Sequence, residues 1–143
     1  MPASPSTATD TPIDQIDTLI VGAGPAGAAA AITLAAAGRS ATVIDRSVFP
    51  RDKCCGDGLT TLALRELELL GVTPEDVPNW MTVDSAHLRS PSGRSFDIPL
   101  PGRGIYAAVA PRADLDNSLV LAAESVGADI RQGWRLDSIG QSA

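Results

Sequence analysis

Aromatic side chains are scarce in this chain: two tryptophans, one tyrosine and two phenylalanines in 143 residues. That is too few for a platform on which nucleic-acid bases stack. Positive charge is also short. Eleven Lys and Arg stand against seventeen Asp and Glu, for a formal net charge of −6. A protein that grips a phosphate backbone needs a basic stripe, so nucleic acid is not an expected partner. Histidine occurs once, at His87, and cysteine only at Cys54 and Cys55. Neighbouring cysteines rarely bridge each other, because the intervening peptide is strained. With a single histidine they do not complete an ordinary zinc site, so no metal is expected. The chain reads as reduced, intracellular and cytoplasmic, with the length of one domain. Its N-terminus, M-P-A-S-P-S-T-A-T-D-T-P, lacks the basic start and apolar core of a secretory signal. Residues 1–14 read as a disordered tail, with the folded part over 15–143.

The run T-L-I-V-G-A-G-P-A-G-A-A-A-A-I-T-L-A-A-A-G, residues 18–38, carries no charge and is long enough to cross a bilayer. It is a poor membrane span. Most of its residues are Ala and Gly, which insert weakly, Pro25 interrupts its first half, and no basic flank precedes it. A nucleotide site explains every part. Residues 16–21 form a short apolar run suited to a buried parallel strand. Gly22 permits a tight turn, Gly24 lets the backbone approach a pyrophosphate, and Gly27 lets the next helix pack on the strand. Pro25 and Ala26 open that helix, predicted over 26–37 and ended by Gly38. Its first N–H groups and partial positive charge suit phosphates. A second strand, S-A-T-V-I-D-R, ends at Asp45 and Arg46, and a carboxylate there accepts hydrogen bonds from a ribose hydroxyl. The expected fold is α/β: a Rossmann-like dinucleotide-binding domain with a parallel sheet. The motif itself leaves NAD and FAD both open.

Next comes D-R-S-V-F-P-R-D-K-C-C-G-D-G-L, predicted as a loop over 47–57 followed by a helix over 59–70. Leu62, Leu64, Leu67, Leu69 and Leu70 supply the apolar positions of that helix, and Gly71 stops it. By composition alone the loop is a solvated surface segment. Around S-P-S-G, within 82–101, alternating apolar and polar residues predict a β-hairpin that carries His87 on its surface. Trp80 and Trp134 read as packing residues. A strand over 104–109 leads to a helix from about Arg112. There Asp114 and Asp116 suit the helix dipole, and Leu115, Leu119, Val120 and Ala123 form a stripe. Gly127 ends this helix, and A-D-I-R-Q-G-W-R-L forms another strand.

The loop F-P-R-D-K-C-C-G-D-G-L resembles that of the geranylgeranyl reductase family, within the larger group of para-hydroxybenzoate hydroxylase-like flavoproteins. The family motif P-x-x-x-x-C-G-D/E is matched by Pro50, Cys55, Gly56 and Asp57. A second motif, R-x-x-L/F-D-x-x-L, is matched by Arg112, Leu115, Asp116 and Leu119. The resemblance implies FAD as cofactor and NAD(P)H as an electron donor. It places Cys54, Cys55 and Gly56 near the isoalloxazine or ribityl chain and Arg112 on the pyrophosphate or ribose. It brings the backbone of the last strand, around Leu136, to the adenine, and has a small antiparallel sheet covering one side of the dinucleotide domain. Relatives often carry Pro or Arg at position 54. The doubled cysteine therefore leaves open which thiol has a chemical role, with Cys55 the candidate.

The resemblance covers the front of the family, from about residue 17 to 136. A second flavin segment, G-D-x-x-G, and the substrate-binding sheet are absent, which predicts a truncated domain with apolar faces left exposed. The function it implies is reduction of isoprenoid C=C bonds, with an isoprenoid or other apolar small molecule as substrate. No integral membrane segment is expected, though the protein could lie peripheral to a membrane. Three alternatives stay open: an FAD-dependent aromatic monooxygenase or halogenase, a non-catalytic dinucleotide-binding module completed by a C-terminal partner chain, and an NAD-dependent dehydrogenase.

Overall fold

A computed structural model describes residues 15–101 and 104–140. The expected tail at 1–14 lies outside the described residues. The nucleus is a β-α-β unit. Strand β1 (Leu19–Val21) leads into helix α1 (Pro25–Ala36), which returns to β2 (Thr42–Asp45). β2 pairs in parallel with β1 on one side and with β8 (Asp129–Gln132) on the other. The order β8-β2-β1 is that of one mononucleotide-binding half of a doubly wound sheet. β2 is buried at every residue, as a central parallel strand should be. β1 forms an edge, and Val21 is 56% exposed. The first strand is shorter than the 16–21 expected, since Ile16 is solvent-exposed and precedes the ladder.

Between β2 and β8 the chain makes a long excursion. Strand β3 (Gly58–Thr60) leads into α2 (Thr61–Leu69), a short 3₁₀ turn (Pro74–Asp76) and β4 (Met81–Thr82). The hairpin β5 (Ser85–Arg89) and β6 (Ser95–Pro99) follows, then β7 (Ala107–Val109) and α3 (Arg112–Ser125). β3 and β4 flank β7 in an antiparallel sheet, and the hairpin is a separate two-stranded sheet. The hairpin's apolar Leu88, Phe96 and Ile98 are exposed.

Two apolar clusters share the helices. Ala31 and Ile32 of α1 meet Val120 and Ala123 of α3, with Val43 and Phe49. Ala28 of α1 meets Leu115 and Leu119 of α3, with Leu67, Val72 and Val77. Helices α1 and α3 thus pack into both clusters, and the small residues of α1 let the two approach closely. The stripe predicted on α3 is all buried. Gly38, Gly71 and Gly127 follow the three helices as expected, each with positive φ.

Three sequence expectations need correction. The helix predicted over 59–70 begins only at Thr61, because Gly58–Thr60 is held extended by pairing with β7. Leu62 and Leu69 are not core residues, being 68% and 80% exposed. The strand expected over 104–109 is confined to Ala107–Val109, after Gly104 turns with φ +86°. Among the described residues, no helix is long and apolar enough to cross a membrane.

Candidate functional site

The site forms where β1 and β2 end. Gly22 takes φ +101° and donates its N–H to the Ile44 carbonyl at 2.8 Å, turning the chain away from β1. Gly27 lies so close beneath that a Cβ there would stand 1.8 Å from the Gly22 carbonyl oxygen. Only glycine allows helix and strand to approach this closely. Gly24 caps α1 without a side-chain hydrogen bond. The first N–H groups of an α-helix have no acceptor within the helix, so this turn can accept an anion.

Asp45 ends β2 and is buried. One carboxylate oxygen accepts the Ala23 N–H and the other the Ser47 N–H, both at 2.8 Å. Burial alone would raise its pKa. The backbone N–H groups of Ser47 and Ala23, aided by the Arg51 charge, outweigh burial and hold the group below the usual carboxylate range. Asp45 is therefore an anion that fixes the shape of the glycine turn.

These elements wall a cleft of about 940 Å³. Gly22, Gly24, Pro25, Ala26, Gly27, Asp45, Arg46, Arg112 and Leu136 all line it, as do Arg51, Trp134 and Arg135. Leu136 does not lie on a strand as expected. β8 ends at Gln132 and Gly133 turns the chain with φ +77°, so Leu136 reaches the cleft from the segment beyond. The Trp134 N–H donates to the Asp45 carbonyl at 2.8 Å, which fixes that segment across the end of β2. Trp134 is not a packing residue. The residue is 56% exposed on the cleft wall, with the Arg131 guanidinium 5.4 Å from its ring centre.

A second, more apolar hollow of about 400 Å³ shares Pro25, Ala26 and Arg112 with the first and runs between the three helices. Cys55 lines it, whereas Cys54 and Gly56 line neither cavity. The Asp57 backbone N–H, followed by the Arg112 guanidinium, holds the Cys55 thiol below its ordinary range.

Arg112 itself is tightly held. Its Nε and Nη2 donate to the two oxygens of Asp116 at 2.7 and 2.8 Å. Burial opposes its charge, but the Asp116 bonds dominate and raise its pKa. Asp116 has no exposed side-chain surface. Its sequence reading as a helix-dipole acid is superseded, because it is the buried counter-ion of this guanidinium. The i, i+4 spacing of Arg112 and Asp116 was the available signal. Arg51, Trp134 and Arg135 were not picked out as site residues.

The site as a whole is that of a nucleotide-binding β-α-β half-domain: a glycine turn under a helix N-terminus, an acid at the second strand end and an arginine lining the same cleft. The profile of the FAD binding domain family matches residues 15–143, and the chain belongs to that family. The menaquinone reductase of Mycolicibacterium smegmatis is 42% identical over 125 residues, 84% of this chain and 29% of that protein. The geranylgeranyl diphosphate reductase of Rhodobacter capsulatus is 33% identical over 116 residues, 79% of this chain and 27% of that protein. A triple mutant of the flavin-dependent brominase Bmp2 superposes with a TM-score of 0.72 at 27% identity, covering 89% of this chain and 32% of that one. The chain spans under a third of the length of the relatives it matches. The geometry fits FAD on its own terms. A side chain at Gly27 would force the helix away from the turn that shapes the cleft, and the volume suits a cofactor-sized ligand.

Proposed function

We propose that this chain is the FAD-binding portion of an oxidoreductase that reduces carbon–carbon double bonds of a prenylated substrate, with NAD(P)H as electron donor. One observation carries the cofactor reading: the glycine turn, Asp45 and Arg112 converge on one cleft. When bound, the flavin supplies the hydride chemistry. The chain's own part is to hold it. The α1 N-terminus and Arg112 hold the diphosphate. Asp45 holds the ribose while keeping the turn in shape, and the segment 134–136 walls the adenosine end. Arg112, shared by both cavities, ties the diphosphate site to the apolar hollow beside Cys55.

The substrate class is supported by the names of two relatives. Menaquinone and geranylgeranyl diphosphate both carry a prenyl chain. A hollow of about 400 Å³ is too small for a long one, so we place the rest of the substrate site in further polypeptide, in the same protein or a partner chain. The likeness to a brominase favours a second reading, a flavin-dependent enzyme acting on an aromatic compound.

The purified chain should be yellow, or should quench the fluorescence of added FAD, and ADP should displace the flavin. A colourless chain that takes up no FAD overturns the reading. The substrate class is tested by mass spectrometry of a prenylated quinone incubated with the complete protein and NAD(P)H. Gain of two hydrogen atoms on the prenyl chain supports the reductase. With an aromatic acceptor, dioxygen and halide supplied in place of the quinone, oxygen or halogen added to the ring supports the second reading.

A further inference from the structure

Arg51 sits in a loop that composition reads as a solvated surface, yet α3 and the Phe49 ring hold it beside the glycine turn. From α3, Asp116 stands 3.4 Å from its Nη1, and the Arg51 side chain is only 18% exposed. Below it lies the Phe49 ring, 4.8 Å from the guanidinium carbon to the ring centre. Phe49 is buried in the core, and its N–H donates to Gln132 Oε1 of β8 at 2.7 Å. The glycine turn lies next to the held guanidinium. A Cβ added to Gly24 would meet Arg51 Nη2 at 3.4 Å, and no other heavy atom within 4 Å. The guanidinium therefore overhangs the point at which the missing side chain opens the backbone to a pyrophosphate. Asp116 carries one negative charge between two guanidiniums, so the group of three keeps a net positive charge beside the positive end of α1. Holding a planar, forked cation in this way cuts the entropy lost when it binds an anion.

We propose that Arg51 is a second diphosphate-binding residue, set over the glycine turn beside Gly24 while Asp116 and Phe49 hold it in place. The assignment rests on the reading of the cleft as the FAD site. A purely structural role, tying the loop to α3, would affect stability alone, so the test must depend on the phosphates.

FAD, ADP and adenosine are titrated into the full 143-residue chain and into Arg51→Gln and Arg51→Lys, with thermal melts of each. Arg51→Gln should weaken FAD and ADP by about tenfold to a hundredfold, the loss expected for a charge-assisted hydrogen bond, and leave adenosine unchanged. Arg51→Lys, which keeps the charge and loses the fork, should fall between parent and Arg51→Gln. Equal FAD and ADP affinity in parent and Arg51→Gln overturns the proposal and leaves the cleft reading standing. An equal loss for adenosine also overturns it, as does loss of the melting transition in both variants, because each reports a structural tie. If the parent itself binds neither FAD nor ADP, the cleft reading falls and the proposal falls with it.

Discussion

Two glycines three residues apart should respond to the same substitution in opposite ways. At Gly27 an added Cβ stands 1.8 Å from the Gly22 carbonyl oxygen and 3.0 Å from its carbon. Real Cβ contacts below 3.0 Å essentially do not occur, so the oxygen and the helix must separate by at least about 1.2 Å, the difference between those two distances. The obstacle is backbone, and no rotamer relieves it. The Gly22 N–H is bonded to Ile44, so moving Gly22 strains the β1–β2 ladder, and moving α1 opens its contacts with α3. Overpacking of this kind costs about 1–3 kcal/mol, with backbone contacts at the upper end. For a chain of this size about 3 kcal/mol corresponds to about 10 °C in melting temperature. Gly24→Ala is different. Its φ of −69° suits alanine, and its Cβ would meet only the end of the Arg51 side chain at 3.4 Å. The fold should tolerate it, with melting within about 2 °C of the parent.

The assay is a thermal melt of parent, Gly27→Ala and Gly24→Ala without ligand, then with FAD. Gly27→Ala should lose about 10 °C in the ligand-free melt. Gly24→Ala should melt like the parent when ligand-free but lose most of the rise that FAD gives the parent. If Gly27→Ala melts with the parent, helix and strand do not touch there as described, and the steric argument is wrong. If Gly24→Ala keeps the full FAD-dependent rise, the ligand does not approach the turn.

The remaining predictions rest on single groups. Asp45 has its pKa lowered by N–H donors that outweigh burial. Its stabilisation is therefore present above the unfolded carboxylate value, about 3.9, and lost as pH falls through the lower folded value. Asp45→Asn should lower melting at pH 7 and flatten the acid limb of the melting-versus-pH curve; an unchanged limb refutes the assignment. Leu119 is 1% exposed between α1 and α2, so Leu119→Ala should cost about 2–5 kcal/mol in denaturant unfolding. A smaller loss would mean that this cluster is loosely packed. The Cys55 thiol is favoured as thiolate by Asp57 N–H and Arg112, so iodoacetamide at neutral pH should label it before Cys54. Peptide mapping that finds equal rates contradicts this.

Local chemistry made part of the fold legible. The turn at Gly22 and Gly24, the β-branched run before it and the acid after it all act within thirty residues, so β1, α1 and β2 could be read directly. The α3 stripe was legible for the same reason, since helical spacing alone brings Leu115, Leu119, Val120 and Ala123 to buried positions. Gly58–Thr60 could not be read, because its extended form depends on β7, about fifty residues on. The leucine-rich α2 misled because only one side of a nine-residue helix meets neighbours, which leaves Leu62 and Leu69 outside. Asp116 was seen as a motif acid but not as a buried one. Its burial needs Arg51, sixty-five residues earlier, to close over it.

The same long-range pairing explains how an acidic protein builds a site for an anion. The chain carries −6 overall, yet the cleft is lined by Arg46, Arg51, Lys53, Arg112 and Arg135 against only Asp45 and Asp52. Five of the eleven basic residues thus line this one cleft. The two buried acids nearby offset these cations only in part, because both are engaged by the protein. Asp45 spends its charge on two backbone N–H groups, and Asp116 lies fully buried behind the arginines that it holds. Inside a cleft such focused charge acts at short range, where screening by salt is weakest. Net charge therefore says little about what this chain binds. The cations gathered around the cleft, with Asp116 buried behind two of them, decide it.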